Sequence, residues 1–485
     1  MVRLKGSKGT GKASSKNVKG KKRKSESALE QETGEDEFFL ASDQEENEVG
    51  DDEALEETAE QKRLRLAKAY IARMRQGEPL GDEGDDEGHA ALSEKLQQQA
   101  LEAMGRIQRK IAFRVHLPDP RIASSAEAST SGRFTKCHRL PVTALAVTSD
   151  DATAYSVSKD GSIYRMDIES AARSRLDTKG PKDSAKVMKS NAGPQWVKRG
   201  PRQAGHRALL AAAVSDDGHY LAVGGGDWRV HVWDVRSNEY IQGFTGHRDI
   251  VSGLAFRQGT HELCSASFDR SAKLWSIDDR MAMDTLLGHQ AEILGVDMLR
   301  QERAVTVGHD HTCRVFKIPE ESQLIFRSHA SAVDCVKYIT ATQWVTGASD
   351  GSLAVWSQMK KRPVSVVKQA HAAEPAGDHW GPAAPDSDAA SWVQSVAACQ
   401  GSDLVASGAG DGLIRLWAVE EGKSGAQGLR ELGTLPARGF VNGLHIARSA
   451  RFVLAGMGQE PRLGRWARDG LARNGLLLHR LALTD

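Results

Sequence analysis

The sequence predicts an all-β fold, a seven-bladed β-propeller of WD-type repeats, preceded by a disordered charged tail and two short α-helices. Three observations carry this prediction. Gly205-His206, Gly246-His247, Gly288-His289, Ser328-His329 and Ala370-His371 place a histidine at intervals of roughly 40 residues, the spacing of a four-stranded blade. A closing aromatic keeps step with them at Trp233, Trp275, Phe316, Trp356 and, after an insertion, Trp417. A turn aspartate, Asp227, Asp269, Asp310, Asp350 or Asp411, stands a few residues before each aromatic. One such unit cannot bury its apolar faces alone, so each demands neighbours of its own kind.

The spacing has a mechanical reason. In the clearest repeat, Gly246 to Ser276, Asp269 in the tight turn can accept from the His247 ring. The ring can meet Ser265 or Ser267 on the preceding strand, and that hydroxyl can meet the indole N–H of Trp275. Such a network satisfies polar groups that blade packing would otherwise bury unpaired. These His and Asp residues therefore read as structural, not catalytic.

Composition sets the boundaries. The 485 residues carry a formal net charge of +1, which conceals strong segregation. Residues 1–24 contain ten Lys or Arg and no acid, and residues 25–61 contain sixteen Asp or Glu and no base. Blocks of this kind resist folding, so residues 1–57 are expected to form a disordered tail, basic then acidic. Lys21-Lys22-Arg23-Lys24 has the composition of a nuclear localisation signal or nucleic-acid patch. The five cysteines are scattered and form no C-x-x-C pair, which suggests neither a disulfide framework nor a zinc site. No apolar run approaches the roughly 18 residues that span a bilayer, and no signal peptide opens the chain, so a soluble, non-secreted protein is expected.

Residues 58–116 are expected to form a helical extension. Thr58 and Gln61 can build a capping box, and Leu64, Ala67, Ile71 and Met74 form one apolar stripe, with Arg63, Arg65, Lys68, Arg73 and Arg75 on the opposite surface. After an acidic, Gly-rich linker, Leu92, Leu96, Ala100, Ala103, Ile107 and Ile111 form a second stripe that Pro118 and Pro120 terminate.

The propeller is expected over residues 131–483, with insertions at about 169–204 and 372–391. Blade one closes on Tyr164, blade two lacks the strand hydroxyl because Val223-Gly224-Gly225-Gly226 precedes its Asp, and blade four closes on Phe316, which has no N–H to donate. Blade seven is degenerate: Phe440 to Ile446, Phe452 to Ala455, then Gly464-Arg465-Trp466. Seven units close a ring and leave few sheet edges. The outermost strand of blade seven could come from residues near Gly132 to Lys136 or from Leu476 to Leu483, a choice the sequence leaves open.

Catalytic motifs are sparse. His309-Asp310-His311 occupies the structural turn and leaves a zinc site incomplete. There is no G-x-S-x-G, no P-loop and no enzyme signature, so the residues predict a binding scaffold with no cofactor, metal or small-molecule substrate.

Several stretches resemble one family. GHRDIVSGLAFRQGTHELCSASFDRSAKLW (Gly246 to Trp275), KIPEESQLIF (Lys317 to Phe326), KKRPVSVV (Lys360 to Val367), GMGQEPRLGRW (Gly456 to Trp466) and the helix EQKRLRLAKAYIARMRQ (Glu60 to Gln76) are similar to WD-repeat proteins specific to the U3 small nucleolar ribonucleoprotein. The similarity runs from about residue 58 to the C-terminus, excluding the two insertions. It implies a nucleolar, non-catalytic subunit that joins U3 snoRNA at its B/C motif beside the kink-turn-binding protein. It also implies a place in the small-subunit processome, where early cleavages towards 18S rRNA occur.

Base readout needs splayed bases stacked on aromatics, and the sequence shows no obvious exposed aromatic set. Phosphate contacts are then the expected mode. The candidates are Arg63, Arg65, Lys68, Arg73 and Arg75 on the first helix and Arg248, Arg270, Lys360, Lys361, Arg362, Arg462 and Arg465 on propeller loops. The alternative is a protein-only interaction platform, such as a ubiquitin-ligase substrate receptor or a histone reader, which would use the mouth of the channel and bind peptide with no salt-steep RNA affinity.

Overall fold

The computed structural model describes residues 108–116, 132–176, 208–327, 331–371, 392–421 and 427–483. The charged tail, the first helix and its basic residues, most of the second helix, the insertion over 372–391, His206 and His329 lie outside them. Within them, seven four-stranded antiparallel sheets follow one another as blades. Blades one to six span residues 142–176, 209–245, 251–287, 293–327, 333–367 and 395–436.

Burial explains why the strands differ in composition. In blade three the innermost strand, Val251–Phe256, is buried at every position, and the outermost, Met281–Leu287, is exposed at six of seven. The core therefore lies between blades. Ala222, Val232 and Phe244 of blade two, for instance, pack against Val251, Leu254 and Trp275 of blade three.

Two stitches between blades escaped sequence reading. Hydroxyls on innermost strands bond the next blade's backbone: Thr143 to the Leu209 carbonyl at 2.6 Å and Ser395 to the Val441 carbonyl at 2.7 Å. Four second-strand glycines, Gly224, Gly347, Gly408 and Gly456, lie where a Cβ would come within 2.5 to 2.8 Å of a valine Cγ1 on, or for Val393 just before, the following innermost strand. The valine of the next blade fills the space that a side chain would take.

Blade seven corrects the sequence reading. Its third strand is Gly475–Arg480, flanked by Phe452–Gly458 and by Gly132–Thr135 as the outermost strand. The two segments that competed for the edge are thus neighbours in one sheet. Gly464-Arg465-Trp466 is not a strand: Gly464 has φ +81 and Trp466 is 49% exposed, whereas Leu476, Leu477 and Leu478 are buried. A run without a buried alternating face cannot occupy a central strand.

The N-terminal approach differs too. Residues 108–116 are not the end of a helix, because Arg109 bridges to Ser402 and Ala112–Arg114 form one 3-10 turn. The Asp403 carboxylate accepts the Ile111 and Ala112 amides at 2.7 and 2.9 Å, and Val115–His116 pair with Ala482–Leu483. Ile111, expected on a helical stripe, packs against the core between blades six and seven. The strand Arg173–Leu176 is the fourth of blade one, so the regular blade extends past residue 169, where the insertion was expected to begin.

Candidate nucleic-acid interface

The polar network of blade three forms as the spacing predicts. His247 Nδ1 lies 2.8 Å from Asp269, His247 Nε2 lies 2.7 Å from the Ser265 hydroxyl, and Trp275 Nε1 donates to that hydroxyl at 2.8 Å. The ionised carboxylate accepts a hydrogen bond from Nδ1–H, which leaves Nε2 to accept from Ser265 and Ser265 Oγ to accept from the indole. Burial alone would push the Asp269 carboxyl up. Hydrogen bonds from His247, Ser271 and the Arg248 amide outweigh it and hold the group well below the usual range.

Blade six repeats the full set with Asp411, His371, Ser407 and Trp417. Blade four keeps Asp310, His289 and Thr306 but closes on Phe316. In blade two, Trp233 Nε1 has no partner among the described residues, and Asp227 pairs with His231 on the blade's own third strand. His309 and His311 flank the Asp310 that holds His289, which gives that turn a structural role.

These turns also divide the surface. Because adjacent strands are antiparallel, the second-to-third strand turns and the blade-to-blade links emerge on one face, here the upper. First-to-second and third-to-fourth strand turns emerge on the lower. Arg248, Arg270 and Arg465 all lie on the upper face and are exposed. Lys360, Lys361 and Arg362, also exposed, join the third and fourth strands of blade five and therefore lie on the lower face. The structure separates these two groups of candidates.

Arg462 belongs to neither group. It enters the upper end of the central channel, donates to the Ser252 carbonyl and lines a cavity of about 120 Å³ with Asp334, Gln394 and Asn442. The sequence placed it on a surface loop; from the turn between the second and third strands of blade seven its side chain reaches into the channel mouth and is half-buried instead. Burial pushes the neighbouring Asp334 carboxyl up to about 7, opposed by the Trp392 indole N–H and by Arg462.

The segment that carries Arg462, residues 459–474, is pinned at several points. The Lys159 ammonium donates to the Pro461 carbonyl at 2.6 Å and to the Gly464 carbonyl at 2.8 Å; Asn442 donates to the Glu460 carbonyl at 3.0 Å. Burial lowers Lys159 to about 8, partly offset by Glu460. So held, the segment stacks Trp466 on Trp392, with centroids 4.9 Å apart and planes 23° from parallel. It also exposes Arg465, Arg468 and Arg473, beside which the upper-face links expose Arg139 and Arg438.

Sequence reasoning named Arg465 but missed Trp466, Arg468 and Arg473, because Gly464-Arg465-Trp466 was read as the closing strand of blade seven. Trp228, 37% exposed, adds a second upper-face indole. Trp228, Arg270 and His311 each follow the turn aspartate and adopt φ of +57 to +67, where Gly161, Gly351 and Gly412 stand in three other blades. A bulky residue in the left-handed region costs conformational energy, and such strain clusters where a side chain serves a surface role.

Among the described residues, the carboxylates near the lower end of the channel are paired. Asp297 accepts from Lys337 at 2.6 Å and from the Tyr338 amide at 2.8 Å, Asp216 from Arg448 at 3.3 Å, and Asp151 from the Arg448 and Ser449 amides. The cavity there, about 170 Å³, falls below the ~300–1,000 Å³ of ligand pockets.

The family model described as "WD domain, G-beta repeat" matches residues 200–234, 238–276, 320–357 and 387–418. Those spans contain Trp233, Trp275, Trp356 and Trp417. The chain is 40% identical over 460 residues to the Arabidopsis thaliana "U3 snoRNP-associated protein-like EMB2271", covering 93% of this chain and 91% of that one. It is 36% identical to the Homo sapiens "U3 small nucleolar RNA-interacting protein 2", covering 87% and 82%. Two solved structures are similar in fold at TM-score 0.62: "Structure of U3-55K", 38% identical over 73% of this chain and 99% of that one, and "Crystal structure of RRP9 WD40 repeats", 39% identical over 74% and 99%. The chain belongs to the family of U3 snoRNP-associated WD-repeat proteins.

Proposed function

We propose that this protein is a non-catalytic scaffold subunit of the U3 small nucleolar ribonucleoprotein in the nucleus and nucleolus. In this reading it binds U3 snoRNA at the B/C motif beside the kink-turn-binding protein and acts in small-subunit processome assembly and pre-18S rRNA processing. The observation that carries the reading is the pinned segment 459–474, which presents Trp466 among Arg465, Arg468 and Arg473 on the face that also bears Arg248 and Arg270. The names of the relatives point the same way. Arginines neutralise phosphates and release counterions, and a half-exposed indole backed by a second indole offers a stacking platform for an unpaired base. The basic residues Arg63, Arg65, Lys68, Arg73 and Arg75, and Lys360, Lys361 and Arg362 on the opposite face, would serve other contacts in the particle.

The test is a pull-down of the full-length protein from nuclear extract, with sequencing of bound RNA at two salt concentrations. U3 snoRNA should be enriched and survive moderate salt. Arg465→Ala/Arg468→Ala/Arg473→Ala should lower the salt slope of binding by about 2, taking ~0.7 per single-strand phosphate. Trp466→Ala should weaken binding by ~1–3 kcal/mol. Absence of U3 snoRNA, with a ubiquitin-ligase adaptor or histones recovered instead, would sink the reading in favour of a protein-only platform.

A further inference from the structure

Away from the upper face, three loops of blades two and three converge on the lower face. The first-to-second strand turn of blade two brings Asp217 and His219, the equivalent turn of blade three brings His261, and the third-to-fourth strand turn of blade three brings Asp278. Asp217 Oδ2 lies 2.8 Å from His219 Nδ1 and 2.8 Å from His261 Nε2, so two imidazoles point at one carboxylate oxygen. The ligating atoms of Asp217, His219 and His261 all lie within 4.8 Å of one another.

Two further contacts fix the set. Asp217 Oδ1 is held by the Ser215 hydroxyl and by the His219 amide at 3.1 Å, which aims Oδ2 at the rings. Behind His261, both Asp278 oxygens lie 2.9 Å from Nδ1, and Tyr220 packs edge-on against the ring with centroids 4.9 Å apart.

We propose that Asp217, His219 and His261 form a binding site for a zinc-class divalent transition metal, which staples blade two to blade three. Two imidazoles and one carboxylate are a donor set for zinc, cobalt, nickel or copper, not for magnesium or calcium, which take oxygen. A tetrahedral ion ~2.0–2.2 Å from each atom needs them roughly 3.3 Å apart, which small rotations of the three side chains provide. Asp278 plays the outer carboxylate of a carboxylate–histidine–metal arrangement, fixing the tautomer that leaves Nε2 free for the ion. Three protein ligands leave a fourth position for water or for a ligand from a partner. No sequence motif announces the site, because its ligands come from two blades and 44 residues separate His261 from Asp217.

Cobalt reports the geometry directly, since four-coordinate cobalt absorbs strongly in the visible. Chelator-stripped full-length protein should bind one cobalt ion per chain with visible d–d bands, and zinc should abolish them. His219→Gln/His261→Gln should remove the bands, while Asp278→Asn should weaken affinity 10- to 100-fold. All five cysteines are buried, so thiolate binding does not compete. Unchanged near-UV circular dichroism in the variants shows that the propeller has folded. The proposal is overturned if wild-type protein binds no stoichiometric cobalt up to 100 μM, or if the double variant binds as wild type does through the acidic tail.

Discussion

Replacing Ser265 by alanine removes one oxygen from the centre of blade three. That oxygen accepts the Trp275 indole N–H at 2.8 Å and meets His247 Nε2 at 2.7 Å, and both Ser265 and Trp275 are buried from water. The substitution leaves two buried polar atoms without a partner, each worth ~1–3 kcal/mol, so Ser265→Ala should destabilise the protein by about 2 to 6 kcal/mol. Trp275→Phe makes the contrast. It removes the donor and leaves Ser265 bonded to His247, reproducing what blade four does with Phe316, so its cost is mainly lost packing. Equilibrium urea unfolding should then show Ser265→Ala with a lower midpoint and unchanged slope. The double variant should cost less than the two singles added, because removing both partners strands fewer groups. A midpoint for Ser265→Ala within ~0.5 kcal/mol of wild type would refute the assignment of the network as a stabilising element.

Other consequences can be measured in the same way. Gly408→Ala places a Cβ about 2.5 Å from Val441 Cγ1, and overpacking there should cost ~1–3 kcal/mol in urea unfolding. Arg270→Gly relieves a φ of +67 and should leave stability unchanged or raise it by about 0.5–1 kcal/mol while weakening RNA capture. Lys159→Met strands the carbonyls of Pro461 and Gly464, so hydrogen exchange should accelerate over residues 459–474 and not in blades three to five. Burial lowers His138 to about 4, with Asp160 opposing, so the folded state binds fewer protons there than the unfolded chain. That contribution is complete above about pH 6.5 and lost as pH falls to about 4, a change of ~3 kcal/mol. Hydrogen bonds to Asp217 and Asp278 outweigh burial and raise His261, which acts in the opposite sense, so the His138→Gln profile isolates the effect.

The parts of the fold that were legible in the sequence share one property: local residues at fixed spacing decide them. His247, Ser265, Asp269 and Trp275 lie within one repeat, and a turn brings them together whatever the neighbouring blades do. The period, the blade count and the missing network members of blades two and four follow from the same reading. Family resemblance was legible because long stretches outside the repeat signature, such as Gly456 to Trp466, are distinctive as text.

Tertiary structure decided whatever depends on contacts between blades. Trp466 in sequence looks like another closing aromatic, yet the third strand of blade seven needs the buried leucines of 475–480, which lie after it. The turn over residues 459–474 sends the Arg462 side chain into the channel mouth, half-buried, and exposes Arg465 and Trp466. Charge alone did not separate Arg248 from Lys360, because the face a loop emerges on depends on strand parity around the sheet. The convergence of Asp217 and His261 was equally hidden, since adjacent blades set it and chain spacing does not. The sequence by itself determined the repeating unit, whose forces act within about 40 residues. The closed ring decided which side chains share a surface, because packing one blade on the next is what fixes the angle between them.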